Sequence, residues 1–178
     1  MSLVWAVRHA PVRAAGLCYG RSEVPPALAP ELAAARVLAL GTWSIGQVWS
    51  SPSARCREPA AHIAAALGAS LVIDERLYEL DFGAWEGRSW EELHESDGVA
   101  FAHWSADWLH AAPPGGETVA QLEGRVRAWQ AELRRDQDHL LLAHAGVIRA
   151  LQVIAGGQWP AAMATAIEHL APHRFTLV

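Results

Sequence analysis

The chain has 178 residues, 52% of them hydrophobic, which suits one domain with a full buried core. Its formal net charge of -5 gives a field that does not attract nucleic acid or an anionic membrane. All 14 basic residues are Arg, whose planar fork grips phosphate with two hydrogen bonds, although genome composition is the simpler cause of the bias. Cys18 and Cys56 form no CxxC pair or metal-ligand cluster, so a reducing compartment is expected. Met1 is followed almost at once by a strand, without a basic n-region or a long apolar run. The expectation is a cytoplasmic chain with no signal peptide and no membrane span.

Residues 3–7 read as a buried strand, 10–29 as a loop rich in Pro and Gly, and 30–41 as a helix. Residues 47–50 form a short strand. Ser51 then serves as the cap of a helix with Pro52 in its first position, and Gly68 stops that helix. Leu71-Val72-Ile73 is a third strand. Ser89-Trp90-Glu91-Glu92 and Thr118-Val119-Ala120-Gln121 are capping boxes, the first opening a short helix, the second one that reaches about Arg135. Residues 140–143 form another buried strand, 147–155 a helix, and 173–178 a last, edge strand. No linker or internal repeat divides the chain. Alternating strands and helices predict an α/β fold in three layers, α/β/α, around a mostly parallel sheet. Residues 78–117 are long for a connection and read as a cap-like insertion over the strand ends.

Ligands bind beyond the carboxyl ends of strands in such sheets. Val7 leads into Arg8-His9, Trp49-Ser50 into Ser51-Pro52-Ser53-Ala54-Arg55, and Leu142-Ala143 into His144-Ala145-Gly146. If these strands are parallel neighbours, two imidazoles and two guanidiniums meet in one pocket, a set that suits a phosphate ester. His9 as a neutral imidazole can attack phosphorus, with Arg8 neutralising the equatorial oxygens. Of Arg55 and Arg57, only one can face the pocket, because positions two apart do not share a helix face. Arg55 is nearer the helix N-terminus, where N–H groups and the dipole favour an anion. A protonated His144 would donate to phosphate, and the small Ala145 and Gly146 let the anion approach the backbone. Glu79, Asp81 and Glu86 each offer a carboxyl that could protonate the leaving oxygen and then activate water; the residues alone do not choose among them. Each of these residues taken singly is more often a structural one. The remaining histidines lack HxxxH spacing, so no metal site is expected. There is no Gly-x-Ser-x-Gly, and without Lys no Gly-x-x-x-x-Gly-Lys phosphate loop.

Together the segments resemble the histidine phosphatase, or phosphoglycerate-mutase-like, superfamily. Val7-Arg8-His9-Ala10 resembles its Arg-His-Gly signature, with Ala for Gly, and Ser50–Arg55 is similar to its Ser-Ser-Pro-x-x-Arg motif. Glu79–Gly87 is similar to its Glu-x-x-x-Gly-x-x-Glu-Gly segment, and Leu142–Arg149 to its second-histidine motif. Residues 16–25, 79–87 and 113–117 look most like alpha-ribazole phosphatases. The resemblance implies a phosphomonoesterase working without a metal or other cofactor. It makes His9 the nucleophile, Arg8, Arg55, His144 and the Ala145 N–H the phosphoryl ligands, and Glu79 the proton donor. The loop after His9 lacks the Asn many members carry, which leaves Arg13, Arg21 or Ser22 as substitutes in substrate binding. Cys56-Arg57-Glu58-Pro59 replaces the usual polar run after the key Arg, so an irregular helix start is expected there. Trp85, Trp90, Trp104 and Trp108 either stack on an aromatic base such as a benzimidazole or form cap core, with at least two expected in the core. The implied partner is a small phosphate monoester, with a homodimer as one possible assembly. The alternatives are a mutase and a non-catalytic phospho-ligand-binding domain; the intact set Arg8, His9, Arg55, Glu79 and His144 speaks against the latter.

Overall fold

Strand β4 (His139–Ala143) is buried at every position and lies at the centre of a five-stranded sheet of order β3-β2-β4-β1-β5. The computed structural model describes residues 2–14 and 16–177. β1 (Leu3–Arg8) and β2 (Gln47–Ser50) flank β4 and run parallel to it, and β3 (Ser70–Ile73) runs parallel beside β2. β5 (Pro172–Thr176) is the antiparallel edge strand. Its last predicted residue, Val178, lies outside the described residues.

Alternation along the strands sorts their side chains onto two faces. Leu140 and Leu142, with Val7 and Val48, pack under α1 (Pro30–Leu38) and α2 (Ala54–Leu67). Leu141 and Ala143, with Val4, Ala6 and Trp49, pack under α5 (Val119–Ala131) and α6 (Ala145–Ile154). The molecule is therefore a three-layer α/β/α fold with a mostly parallel sheet. No helix among the described residues is long and apolar enough to cross a membrane.

Both predicted capping boxes are present: Ser89 opens α3 (Trp90–Ser96) and Thr118 opens α5. Two further helices were not anticipated. α4 (Gly98–Ala106) has no side-chain cap, because the Asp97 carboxylate before it is taken by the Trp85 indole and the Arg88 guanidinium. α7 (Trp159–Ala164) carries Pro in its first turn and one buried apolar pair, too short a pattern to read as periodic.

The start of α2 departs from the sequence reading. The helix begins at Ala54, and Ser51 is not its cap; the Glu23 carboxylate accepts the Ala54 N–H at 3.0 Å instead. The helix N-terminus expected to hold a substrate anion thus holds one from the chain itself. Pro59 sits inside α2 without breaking it.

Candidate active site

The register sets Arg8 beside Ala143 and Ser50 beside Leu142, so β1, β4 and β2 end at one level. The residues that follow, His9, His144 and Ser51, are all buried. The two imidazole centroids are 5.2 Å apart. The His9 N–H donates to Ala143 O at 3.0 Å, which holds the first turn out of β1 against the end of β4.

The tautomer of His9 follows from its contacts. Its Nδ1 lies 2.7 Å from Ala10 O, and a carbonyl can only accept, so Nδ1 carries the proton and Nε2 keeps a lone pair. Burial lowers the His9 pKa to about 3, partly opposed by the Ala10 carbonyl and aided by the charges of Arg55, His169 and Arg8. His144 is also held well below 6.5, by burial first and then by His9 and Arg55. Burial and the neighbouring positive charges thus work against the protonated His144 that the sequence reading expects. Its Nε2 lies 2.8 Å from Ser51 Oγ, the hydroxyl that was expected to cap α2.

Arg55 is fully buried, whereas Arg57 is exposed. Arg55 donates to Gly20 O at 2.6 Å and Ser22 O at 2.8 Å, and its guanidinium lies 3.5 Å from His144 Nδ1. Arg8 donates to Ile167 O at 2.8 Å. Six arginines of the described residues are not exposed. Arg76, Arg88 and Arg125 pair with carboxylates; Arg8, Arg55 and Arg149 do not. Those three meet in one place: Arg8 and Arg149 line a cleft of about 320 Å³ with His9, His144 and Glu79, and Arg55 reaches His144 behind it. The Nε of Arg8 and of Arg55 is buried with no protein acceptor. Buried cations without carboxylate partners are costly unless an anion joins them.

Glu79 is held at the cleft by two N–H donors, Leu80 at 3.0 Å to Oε1 and Gly146 at 3.1 Å to Oε2. A Cβ on Gly146 would collide with the Glu79 carboxylate. The small residue predicted to admit phosphate therefore makes room for the acid. The other two carboxyls are spent on loop structure. Glu86 accepts N–H groups from Gly20, Arg21, Ser22 and Phe82, and Asp81 accepts that of Gly83.

The sequence matches the family described as the histidine phosphatase superfamily (branch 1) over residues 4–177. The chain belongs to the histidine phosphatase superfamily. It is 31% identical over 112 residues to a Hydrogenobacter thermophilus protein provisionally named phosphoserine phosphatase 2, covering 62% of this chain and 55% of that one. The chain thus spans about half the length of that relative. It is 29% identical over 154 residues to the adenosylcobalamin/alpha-ribazole phosphatase of Escherichia coli K12, covering 83% of this chain and 76% of the relative. The crystal structure of the alpha-ribazole phosphatase from Shigella flexneri superposes with a TM-score of 0.85 at 25% identity, over 97% of this chain and 89% of that one.

Two departures from the superfamily's pattern resolve. Ala10 needs no glycine, since Leu170 is the only non-glycine at positive φ among the described residues. Arg21 and Ser22, expected to replace the missing Asn of this histidine phosphatase, do not line the cleft. The Arg21 guanidinium lies over the Tyr78 ring and faces Asp81 at 3.5 Å and Glu117 at 3.6 Å. Ser22 gives its N–H to Glu86 and its carbonyl to Arg55, so its main chain orients a guanidinium rather than a ligand. Arg13 is exposed and also outside the cleft. Ala145, the other predicted contact, does line it.

The four tryptophans divide evenly. Trp85 is fully buried with Cys18 and Leu93, and Trp108 packs against the main core. Trp90 and Trp104 stand nearly parallel at 6.3 Å and, with Phe82 and Tyr19, line the cleft. Sequence reasoning missed Arg149, Trp159 and Met163, whose places depend on how α7 folds back against α6.

The buried rings carry a stability signature. Unfolded histidines take up protons near pH 6.5, while folded His9 and His144 do not until far lower. Below pH 6.5 the unfolded state therefore binds more protons, and stability falls as pH drops toward about 3. Each ring contributes a slope of up to about 1.4 kcal/mol per pH unit. His9→Gln, which cannot titrate, should lose on the order of 2 kcal/mol less than wild type between about pH 6.5 and 4.5. Urea unfolding at the two pH values measures this, and identical losses would overturn it.

Proposed function

We propose that this chain is a metal-independent phosphomonoesterase that forms a phosphohistidine on His9. The observation that carries the reading is the meeting, in one cleft, of a lone-pair Nε2 and the carboxylate-free guanidiniums of Arg8 and Arg149, with that of Arg55 against His144 behind them. His9 Nε2 attacks phosphorus, the ester P–O bond breaks, and the leaving oxygen takes its proton from Glu79. Water then attacks the phosphohistidine and gives a proton to the Glu79 carboxylate. The P–N bond breaks, releasing inorganic phosphate and restoring neutral His9. Arg8, Arg55 and the Ala145 N–H bind the equatorial oxygens throughout. The Arg55 guanidinium can only donate, so His144 Nδ1 accepts from it, and the neutral ring carries its proton on Nε2 and donates it to Ser51 Oγ. Nucleophile, acid and charge neutralisation are all side chains, so the scheme invokes no metal.

For the natural substrate we favour alpha-ribazole 5′-phosphate, in assembly of the cobalamin nucleotide loop. Tyr19, Phe82, Trp90 and Trp104 line the same cleft as Arg8 and Arg149 and offer a flat base an apolar surface. Cys18 and Cys56 are both unpaired and buried, which supports a cytoplasmic setting. The test is inorganic phosphate release from a panel containing alpha-ribazole 5′-phosphate, phosphoserine and 3-phosphoglycerate, with base-quenched peptide mapping for a phosphoryl group on His9. The highest kcat/KM is expected for the ribazole ester. A preference for phosphoserine would overturn the substrate; formation of 2-phosphoglycerate without phosphate release would make the chain a mutase; no phosphoryl group on the His9 peptide during turnover would remove the intermediate.

A further inference from the structure

The turn leading into β5 grips the two residues at the end of β1 from the side opposite β4. Arg8 gives its guanidinium to Ile167 O at 2.8 Å, and its carbonyl accepts the Leu170 N–H at 2.9 Å. His169 Nδ1 lies 2.6 Å from His9 O; the carbonyl can only accept, so Nδ1–H donates. The His169 ring sits 5.5 Å from that of His9 and is not among the residues that line the cleft. The His9 main chain is thus bonded on both sides, its N–H by β4 and its carbonyl by His169.

The turn holds an unfavourable backbone to do this. Leu170 has φ +58, a left-handed conformation that a branched side chain rarely adopts. Burial explains how it persists. Ile167 is packed in the core under α5 and α6, and Leu170 in the core under α1 and α2. One four-residue turn is therefore anchored on both faces of the sheet and crosses the end of β1 between the anchors.

We propose that His169 is a positioning residue, whose Nδ1–H fixes the His9 peptide plane and aims Nε2 at the bound phosphorus. His9 lies past the last ladder pair of β1, so this bond and that to Ala143 hold its main chain, on which the ring, bonded through Nδ1 to Ala10 O, is carried. The inference rests on the proposed role of His9. A nucleophile displaced by about 1 Å loses on the order of a hundredfold in rate while ground-state binding by the arginines persists.

The experiment is steady-state and single-turnover kinetics on an aryl phosphate for His169→Phe, His169→Asn and His169→Gln, with His9→Ala in parallel and melting curves for all. Asn places an amide donor where His Nδ1 stands, whereas Gln moves it outward. His169→Phe and His169→Gln should lower kcat by roughly thirty- to a hundredfold with KM within about threefold. His169→Asn should stay within about fivefold of wild type in kcat. A wild-type kcat in His169→Gln, or equal losses in the Asn and Gln variants at equal melting temperature, overturns the proposal. If His169→Phe does not fold, the Asn and Gln pair still decides. Wild-type activity in His9→Ala would instead overturn the nucleophile assignment itself.

Discussion

His9→Ala should lower turnover of an aryl phosphate by roughly a thousandfold or more, about 4 kcal/mol of transition-state stabilisation. The size of the loss follows from what the ring supplies. It is the one group in the cleft that pairs a fixed lone pair with a buried, neutral state, since burial lowers its pKa to about 3. His144 cannot take over. Its Nε2 is engaged by Ser51 and its Nδ1 side is crowded by Arg55 at 3.5 Å. The fold should survive the change, because removing a neutral ring strands no charge and leaves only the Ala10 carbonyl short of a donor, about 1–3 kcal/mol. Stopped-flow kinetics and a melting curve separate the two effects. A folded His9→Ala protein turning over near the wild-type rate would remove His9 from the nucleophile's role.

The site's strand ends were legible because each was written locally. An apolar run followed by Arg8-His9, by Ser51-Pro52 or by His144-Ala145-Gly146 fixes where a strand stops and what stands there. Parallel pairing with β4 then brings the three together, and that pairing was the one non-local assumption needed. Residues whose roles depend on partners distant in sequence were misread. Ser51 looks like a helix cap until His144 is placed beside it, and Arg21 looks free until Asp81, Glu117 and Tyr78 surround it. Gly146 suggested an approach for phosphate because nothing nearby in sequence shows that Glu79 fills the space. His169 carried no signal at all: its partner is a backbone carbonyl 160 residues away. The aromatic segment was half readable. Its composition indicated both core and pocket wall, but only the packing of α3 against α4 assigns Trp90 and Trp104 to the wall.

Glu79→Gln should separate the two chemical steps, and its effect should depend on the leaving group. An alkoxide cannot depart without a proton, so phosphoryl transfer from an alkyl phosphate should slow by about a hundred- to a thousandfold. A nitrophenolate departs unaided, so transfer from its ester should slow only a few-fold. Hydrolysis of the phosphohistidine needs the same carboxylate as base for every substrate. The variant should therefore show a burst of nitrophenolate followed by slow turnover, and no burst with an alkyl ester. No neighbouring carboxyl can stand in, because Asp81 is tied to the Gly83 N–H and faces Arg21, while Glu86 is saturated by main-chain donors. The amide is nearly isosteric but has a single acceptor oxygen for the Leu80 and Gly146 N–H groups, a stability loss of about 1–3 kcal/mol that a melting curve measures independently. Rapid-quench rates that fall by one common factor for aryl and alkyl esters would show that Glu79 acts through binding or packing, and the proton would then have to come from water.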